Sequence, residues 1–109
     1  MVYIGSLDYD DSLKETEEII VCGAGSMLPS LMEKMAKLNL SEKIMAICDN
    51  NIAIHGKRAD GILVMGVERV YREYTDADYI VYNRYFMEIC KQLQENHIKR
   101  IHLIRQGSL

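Results

Sequence analysis

Short apolar runs alternate along the chain with stretches of helical periodicity. Five runs are almost continuously apolar, which is the pattern of short buried strands. They are Glu18–Gly23, Lys43–Asp49, Gly61–Gly66, Asp76–Asn83 and Lys99–Ile104. Between them, apolar residues recur about every 3.6 positions, which predicts helices. The helices are expected from Ser26 to about Asn39, over Val67–Tyr74, and from Tyr85 to about Asn96.

This alternation predicts an α/β fold with three layers. Parallel neighbouring strands need a connection long enough to recross the sheet, so the intervening helices cover both faces. With the five strands numbered as they occur, we expect a Rossmann-like, five-stranded parallel sheet in the order 3-2-1-4-5.

The first 17 residues fit this pattern less well. VYIGSL is compatible with an edge strand and SLKETEE with a helical turn, although a glycine and clustered acids weaken both predictions. A chain of 109 residues has the usual size of one domain. We therefore expect a single Rossmann-like domain over residues 1–109, with 1–17 as an N-terminal extension of unassigned structure.

Charge and composition narrow the classes of partner. The net charge is −3, with acids and bases interspersed, so the chain has no basic stripe for nucleic acid. No apolar run approaches the roughly 20 residues of a membrane span, and the first residues are acidic where a signal peptide is basic. We expect a cytoplasmic protein that contacts neither nucleic acid nor membrane.

The cysteines and histidines do not suggest a metal site. The cysteines lie in separate apolar stretches without a CxxC pair, which predicts reduced, buried thiols. The histidines lack metal-ligand spacing. These residues are Cys22, Cys48, Cys90, His55, His97 and His102.

The junction between the first predicted strand and its helix carries the strongest indication of a ligand. At such a junction the free N–H groups and the helix dipole attract anions, above all phosphate. Gly23 allows a sharp turn, Gly25 lets the backbone approach a phosphate, and Ser26 adds a hydroxyl. Asp49 ends the next strand, near the offset at which an acid accepts hydrogen bonds from ribose.

Two departures narrow this expectation. Counted from Gly23, the third glycine of the G-x-G-x-x-G pattern is replaced by Leu28, and five strands supply only one mononucleotide-binding half. A mononucleotide or nucleotide sugar is therefore favoured over a full redox dinucleotide, and a purely structural turn is the alternative. Asn83 and Arg84 follow the fourth strand at the same rim, where Arg84 either pairs with a phosphate or is solvated.

At these residues the sequence resembles a known group of domains. The runs IIVCGAGSMLPSLMEKM, IMAICDNN and HGKRADGILV are similar to the Rossmann-like N-terminal domain of bacterial nucleoside-diphosphate-sugar epimerase and dehydratase relatives and of sugar acyltransferases. The resemblance covers roughly Glu18 to Ile104. It implies a site for nucleotide sugars or dinucleotides at the carboxyl ends of the strands, lined by Gly23, Gly25, Ser26, Met27, Asp49 and Asn50. Position in the predicted fold adds Ala24 and Asn83 to this set of cofactor-binding residues.

No catalytic residue is predicted. The epimerase relatives need a tyrosine with a lysine four positions on, and none of the seven tyrosines has one. We expect a module that binds a nucleotide or nucleotide sugar in sugar or polysaccharide metabolism, alone or with a homodimer partner or transferase. One alternative is a degenerate interaction domain without a ligand. The other is part of an NAD(P)-dependent sugar-nucleotide enzyme completed by another chain.

Overall fold

The computed structural model describes the whole chain, Met1–Leu109, as one sheet with helices on both faces. The strands are β1 (Val2–Gly5), β2 (Ile19–Cys22), β3 (Ile44–Cys48), β4 (Arg58–Ala59), β5 (Ile62–Met65), β6 (Asp78–Val81) and β7 (Arg100–Ile104). The helices are α1 (Leu28–Lys37), α2 (Val67–Glu73) and α3 (Phe86–Glu95). None of these helices has the length and apolar character needed to span a bilayer.

The sheet has seven strands in the order β1-β7-β6-β2-β3-β5-β4. The three-layer α/β prediction is confirmed, but the predicted sheet of five parallel strands in the order 3-2-1-4-5 was wrong in strand number, and the complete order differs. The five predicted strands lie next to one another in the middle of the sheet. Two further strands extend it, because β1 pairs parallel with β7 and β4 pairs antiparallel with β5.

Alternate side chains of the buried strands fill two separate cores. On one face, α1 packs against the strands through Leu31, Met32 and Met35. On the other face, α2 and α3 contribute Val70 and Leu93. Since successive residues of a strand point to opposite faces, continuous apolar runs such as β2 are needed to supply both cores.

Local sequence signals fix the ends of α1. Pro29 lies in its first turn, where the missing N–H has no intrahelical partner to lose. Just after the helix, Asn39 adopts a φ of 60° and the N–H of Leu40 donates to the carbonyl of Met35 at 2.9 Å. A residue with positive φ is a common helix terminator, which explains why the periodicity stops there.

The N-terminal segment is an integral part of the domain. After β1, two short 3-10 turns at Leu7–Tyr9 and Asp11–Lys14 cross the face that carries α1. Leu7 and Leu13 are 2% and 1% exposed and belong to the same core as α1. The segment therefore replaces a helix as the cover of this part of the sheet.

Candidate functional site

The candidate site lies where the sheet changes its direction of winding. From β2 the chain runs to β3 on one side, and it later returns to β6 on the other side. In open α/β sheets such a switch point leaves a crevice at the carboxyl ends of the strands. Gly23 follows β2 and Asp49 follows β3, so both lie at this crevice.

Gly23 is required by the backbone. Its φ is +95°, and its N–H donates to the carbonyl of Cys48 at 2.8 Å. A Cβ at this position would collide with Nδ2 of Asn83, which therefore covers the glycine from the β6 side. The position thus excludes any side chain, both by conformation and by space.

Gly25 leaves the approach to the helix open. A Cβ added there would meet nothing within 4 Å. The N–H groups of Gly25, Ser26 and Met27 have no hydrogen-bond partner in the protein, and no side chain caps α1. Unpaired amides at the start of a helix, together with its dipole, favour an anion at this place.

Asp49 is fixed against the turn by both of its carboxylate oxygens. Oδ2 accepts from the N–H of Ala24 at 2.9 Å, and Oδ1 accepts from the N–H of Asn51 at 2.8 Å. Nε2 of His55 lies 2.6 Å from the carbonyl oxygen of Asp49 and anchors the loop that follows β3. Each carboxylate oxygen keeps a lone pair for a further donor, such as a ribose hydroxyl.

A cavity of about 660 Å³ opens beside the turn. Of the predicted site residues, it brings together Gly23, Gly25, Asp49, Asn50 and Asn83. The floor is made by two cysteines, and the wall by residues of α2 and α3. These floor and wall residues include Cys22, Cys48, Val67, Tyr71, Ile89 and Gln92.

The other predicted residues do not line this cavity. Ala24 contributes its N–H to Asp49, whereas Ser26 and Arg84 are exposed. Met27 directly precedes α1. Leu28, which stands in place of the third glycine, is only 6% exposed and packs into the α1 core. It therefore leaves the crevice free.

The wall on the α2 and α3 side was missed by sequence reasoning. Tyr71 Oη donates to Oε1 of Gln92 at 3.3 Å across the gap between the two helices. Burial raises the pKa of Tyr71, so its phenol stays protonated and acts as a donor. One signal existed, because Gln92 is a polar residue at the border of the apolar helical face that includes Ile89 and Leu93.

A second cavity of about 600 Å³ adjoins the first and shares Asn50 and Val67 with it. It lies between the loop after β3 and the start of α2, and it is lined by Ile52 and Gly66 among others. Ile52 is 82% exposed at its edge. An apolar side chain left this open beside a cavity offers a surface for a flat apolar group.

Comparison with known proteins assigns the domain to a family. Residues 15–104 match the family described as C2185-like, N-terminal. The chain belongs to this family. The C2185-like chain is also similar to the crystal structure of RSP, a Rex-family repressor, with a TM-score of 0.68 and 21% sequence identity over 90% of this chain and 49% of that chain.

A crystal structure of RSP in complex with beta-NADH is similar to the C2185-like chain as well. Its TM-score is 0.64 at 21% identity, over 90% of this chain and 50% of that chain. The C2185-like chain thus spans about half the length of each RSP chain. At this identity the likeness shows the Rossmann-like fold. A search among curated proteins found no match, and the resemblance to sugar-nucleotide epimerases and acyltransferases is not shown.

Proposed function

We propose that this domain binds a nucleotide at the Gly23–Met27 turn. The observation that carries the proposal is the open backbone at Gly25, with its unpaired amides, beside a carboxylate held 2.9 Å from Ala24 N. The complex of RSP with beta-NADH supports it, since a protein with this fold holds a nucleotide.

In the proposed complex, the nucleotide occupies the glycine turn and the two cavities. A phosphate accepts hydrogen bonds from the amides of Gly25, Ser26 and Met27, and ribose hydroxyls donate to Asp49. The base then enters the second cavity and covers Ile52, whose exposed apolar surface it removes from water. The charge of Asp49 disfavours a phosphate on that ribose, so an unphosphorylated ribose is preferred.

The first cavity leaves room beyond the phosphate. It continues past Asn83 towards the phenol of Tyr71 and the side-chain amide of Gln92, which can bind a second polar group. This space favours a ligand longer than a mononucleotide, such as β-NADH. A nucleotide sugar also has this length, and its link to sugar metabolism rests on sequence resemblance alone.

Binding is tested by thermal shift and calorimetry with β-NADH, ADP and UDP-glucose. A ligand at 100 times its dissociation constant stabilises the folded state by about 2.7 kcal/mol, which raises the melting temperature by about 10 °C. We expect β-NADH to give the largest shift. If no nucleotide raises the melting temperature, the proposal is wrong and the interaction domain without a ligand is favoured.

A substitution at Asp49 locates the site. Asp49→Asn removes the charge and one acceptor, so nucleotide affinity falls about tenfold or more, as expected for a lost hydrogen bond to a charged group. Asp60→Asn is the matched control, because Asp60 is exposed and lines neither cavity. Equal affinities of the two variants would place the nucleotide elsewhere.

A further inference from the structure

The floor of the first cavity holds two thiols side by side. Sγ of Cys48 lies 3.7 Å from Sγ of Cys22, and the two residues are register partners on the adjacent strands β2 and β3. They are 26 positions apart in sequence, so only the folded sheet brings them together. The contact places two nucleophilic groups at the carboxyl ends of the central strands.

The backbone spacing of the two residues permits a disulfide. Neighbouring strands lie about 4.8 Å apart, which falls within the range of Cα separations, about 4.4–6.8 Å, that a disulfide accepts. The sulfurs must approach from 3.7 Å to about 2.05 Å, which side-chain rotation and a small strand movement supply. A thiol reductant can break such a disulfide again.

Access distinguishes these thiols from ordinary core cysteines. Both are almost fully buried within the protein, at 2% and 3% exposure, yet both line the cavity. A small solute in the cavity therefore lies next to both residues. Cys90 lies on α3, does not line the cavity and is half-buried.

We propose that Cys22 and Cys48 are a thiol–disulfide redox pair whose oxidant is a small hydroperoxide. One sulfur, as thiolate, attacks a peroxide oxygen, so that an S–O bond forms and the O–O bond breaks. The leaving oxygen takes a proton and departs as water or an alcohol. The partner sulfur then attacks the resulting sulfenic sulfur, the S–S bond forms, and hydroxide leaves with the partner's proton as water. Two thiols lose two electrons to one peroxide, and a thiol reductant restores both thiols while it is itself oxidised to a disulfide.

The hydrogen bond with Cys48, together with burial, raises the pKa of Cys22. This thiol is therefore mostly protonated at neutral pH, and oxidation takes place more slowly than at an exposed, activated cysteine. The pair responds to sustained oxidation and is insensitive to a brief pulse.

A consequence for binding rests on the proposed nucleotide function. Cys22 directly precedes Gly23, and Cys48 directly precedes Asp49. Closing the disulfide shifts both residues and disturbs the hydrogen bond of 2.9 Å between Ala24 N and Asp49 Oδ2. Loss of alignment with one charged acceptor weakens nucleotide binding by roughly tenfold.

Peptide mapping tests the redox pair in the complete chain without any nucleotide. The reduced protein is treated with hydrogen peroxide, alkylated under denaturing conditions and digested with trypsin, which places the three cysteines in peptides 15–34, 44–57 and 85–91. We expect peptides 15–34 and 44–57 to be joined within one molecule and separated by dithiothreitol. Linkage through 85–91, linkage between molecules, or oxidation without any 15–34 to 44–57 linkage overturns the proposal.

Two variants serve as controls. Cys90→Ser keeps the linkage, whereas Cys48→Ala abolishes it. The wild-type and Cys90→Ser results decide the question even if Cys48→Ala fails to fold.

The coupling is tested by titrating β-NADH into the reduced and the oxidised protein. A dissociation constant roughly tenfold higher in the oxidised form is expected, and equal constants overturn the coupling. Absence of binding to both forms contradicts the nucleotide function and the coupling together, while the joined peptides still support the redox pair.

Discussion

The two glycines of the turn have different tasks. Gly23 meets a backbone requirement, since its φ is +95° and Asn83 covers it, whereas Gly25 has a φ outside the positive region and open space around it. The same residue type thus serves the fold at one position and access for a ligand at the other. Separate substitutions distinguish these tasks.

Gly23→Ala is expected to destabilise the protein. The added methyl group meets Nδ2 of Asn83 and forces a side chain into a left-handed conformation, which together cost about 1–3 kcal/mol. Urea denaturation measures this loss as a lower midpoint at unchanged slope. A midpoint equal to that of the wild type would contradict the strained geometry.

Gly25→Ala is expected to lower nucleotide affinity and to leave stability almost unchanged. The free energy of unfolding changes by less than about 1 kcal/mol, because nothing lies within 4 Å of the new methyl group. The methyl group occupies the approach of the phosphate, so nucleotide affinity falls about tenfold. Calorimetry and urea denaturation of the same sample separate the two effects, and wild-type affinity in this variant would argue against the phosphate position.

A buried ionic network attaches the N-terminal segment to β6 and β7. His102, fully buried on β7, lies between two carboxylates, with Nδ1 at 2.5 Å from Asp10 Oδ2 and Nε2 at 2.6 Å from Asp78 Oδ2. Thr16 donates to Asp78, and Ser12 donates to Asp10. A charged imidazolium between these two acids thus forms a clamp that joins three segments of the chain.

Stability is expected to depend on pH through this network. Burial alone would lower the pKa of His102, but its hydrogen bonds to Asp78 and Asp10 outweigh burial and raise the pKa above 6.5. The stabilisation from His102 is therefore complete below about pH 6.5 and is lost as pH rises through the higher pKa of the folded state.

At acid pH, stability depends on pH with the opposite sign. Burial alone would raise the pKa of Asp78, but the hydrogen bonds from His102 and Thr16 lower it below 3.8. Its contribution is present above that value and lost as pH falls through the lower folded pKa. Melting temperatures measured from pH 3 to pH 10 should thus be highest between these limits. A melting temperature that stays constant as pH rises above 6.5 would contradict the charged clamp.

Substitution of His102 isolates its contribution to stability. His102→Gln leaves the buried Asp10 without a cation and Asp78 with only Arg100, at 3.4 Å, and costs about 3–5 kcal/mol. The decline of stability at alkaline pH should disappear in this variant, as measured by urea denaturation at a series of pH values. His97→Gln, at an exposed position, should retain the wild-type profile.

For the whole molecule, the sequence predicts the buried middle of the sheet better than its edges. Runs such as Ile19–Cys22 are continuously apolar because they supply both cores, and this signal is strong. The edge strand β1 alternates between exposed and half-buried residues, and β4 has just two residues beside the Asp60-Gly61 turn, so neither gives such a signal.

The candidate site was likewise predictable only in part. The glycine turn and Asp49 are local in sequence or follow from the order of the strands, so their proximity is predictable. The contact of Tyr71 with Gln92, and that of Cys22 with Cys48, depend on helix placement and strand register. Neither is encoded in a spacing along the chain.

The N-terminal segment should be essential although the family match begins at residue 15. A chain that starts at residue 15 lacks β1, the buried Leu7 and Leu13, and the Asp10 partner of His102. Each leucine alone contributes about 1.5–3 kcal/mol of burial, a large share of a small domain's stability. Calorimetry should show loss of the cooperative transition, and a melting temperature equal to that of the complete chain would contradict this account.

The most direct test of nucleotide binding at the turn is a titration of the ¹⁵N-labelled protein with β-NADH, followed by backbone amide NMR. The account predicts the largest shifts at the amides of Gly25, Ser26 and Met27, which are unpaired in the protein. Smaller shifts are expected at Asn50 and Ile52, and almost none at His102, which lies outside both cavities. Absence of shifts, or shifts centred away from the glycine turn, would contradict the central claim.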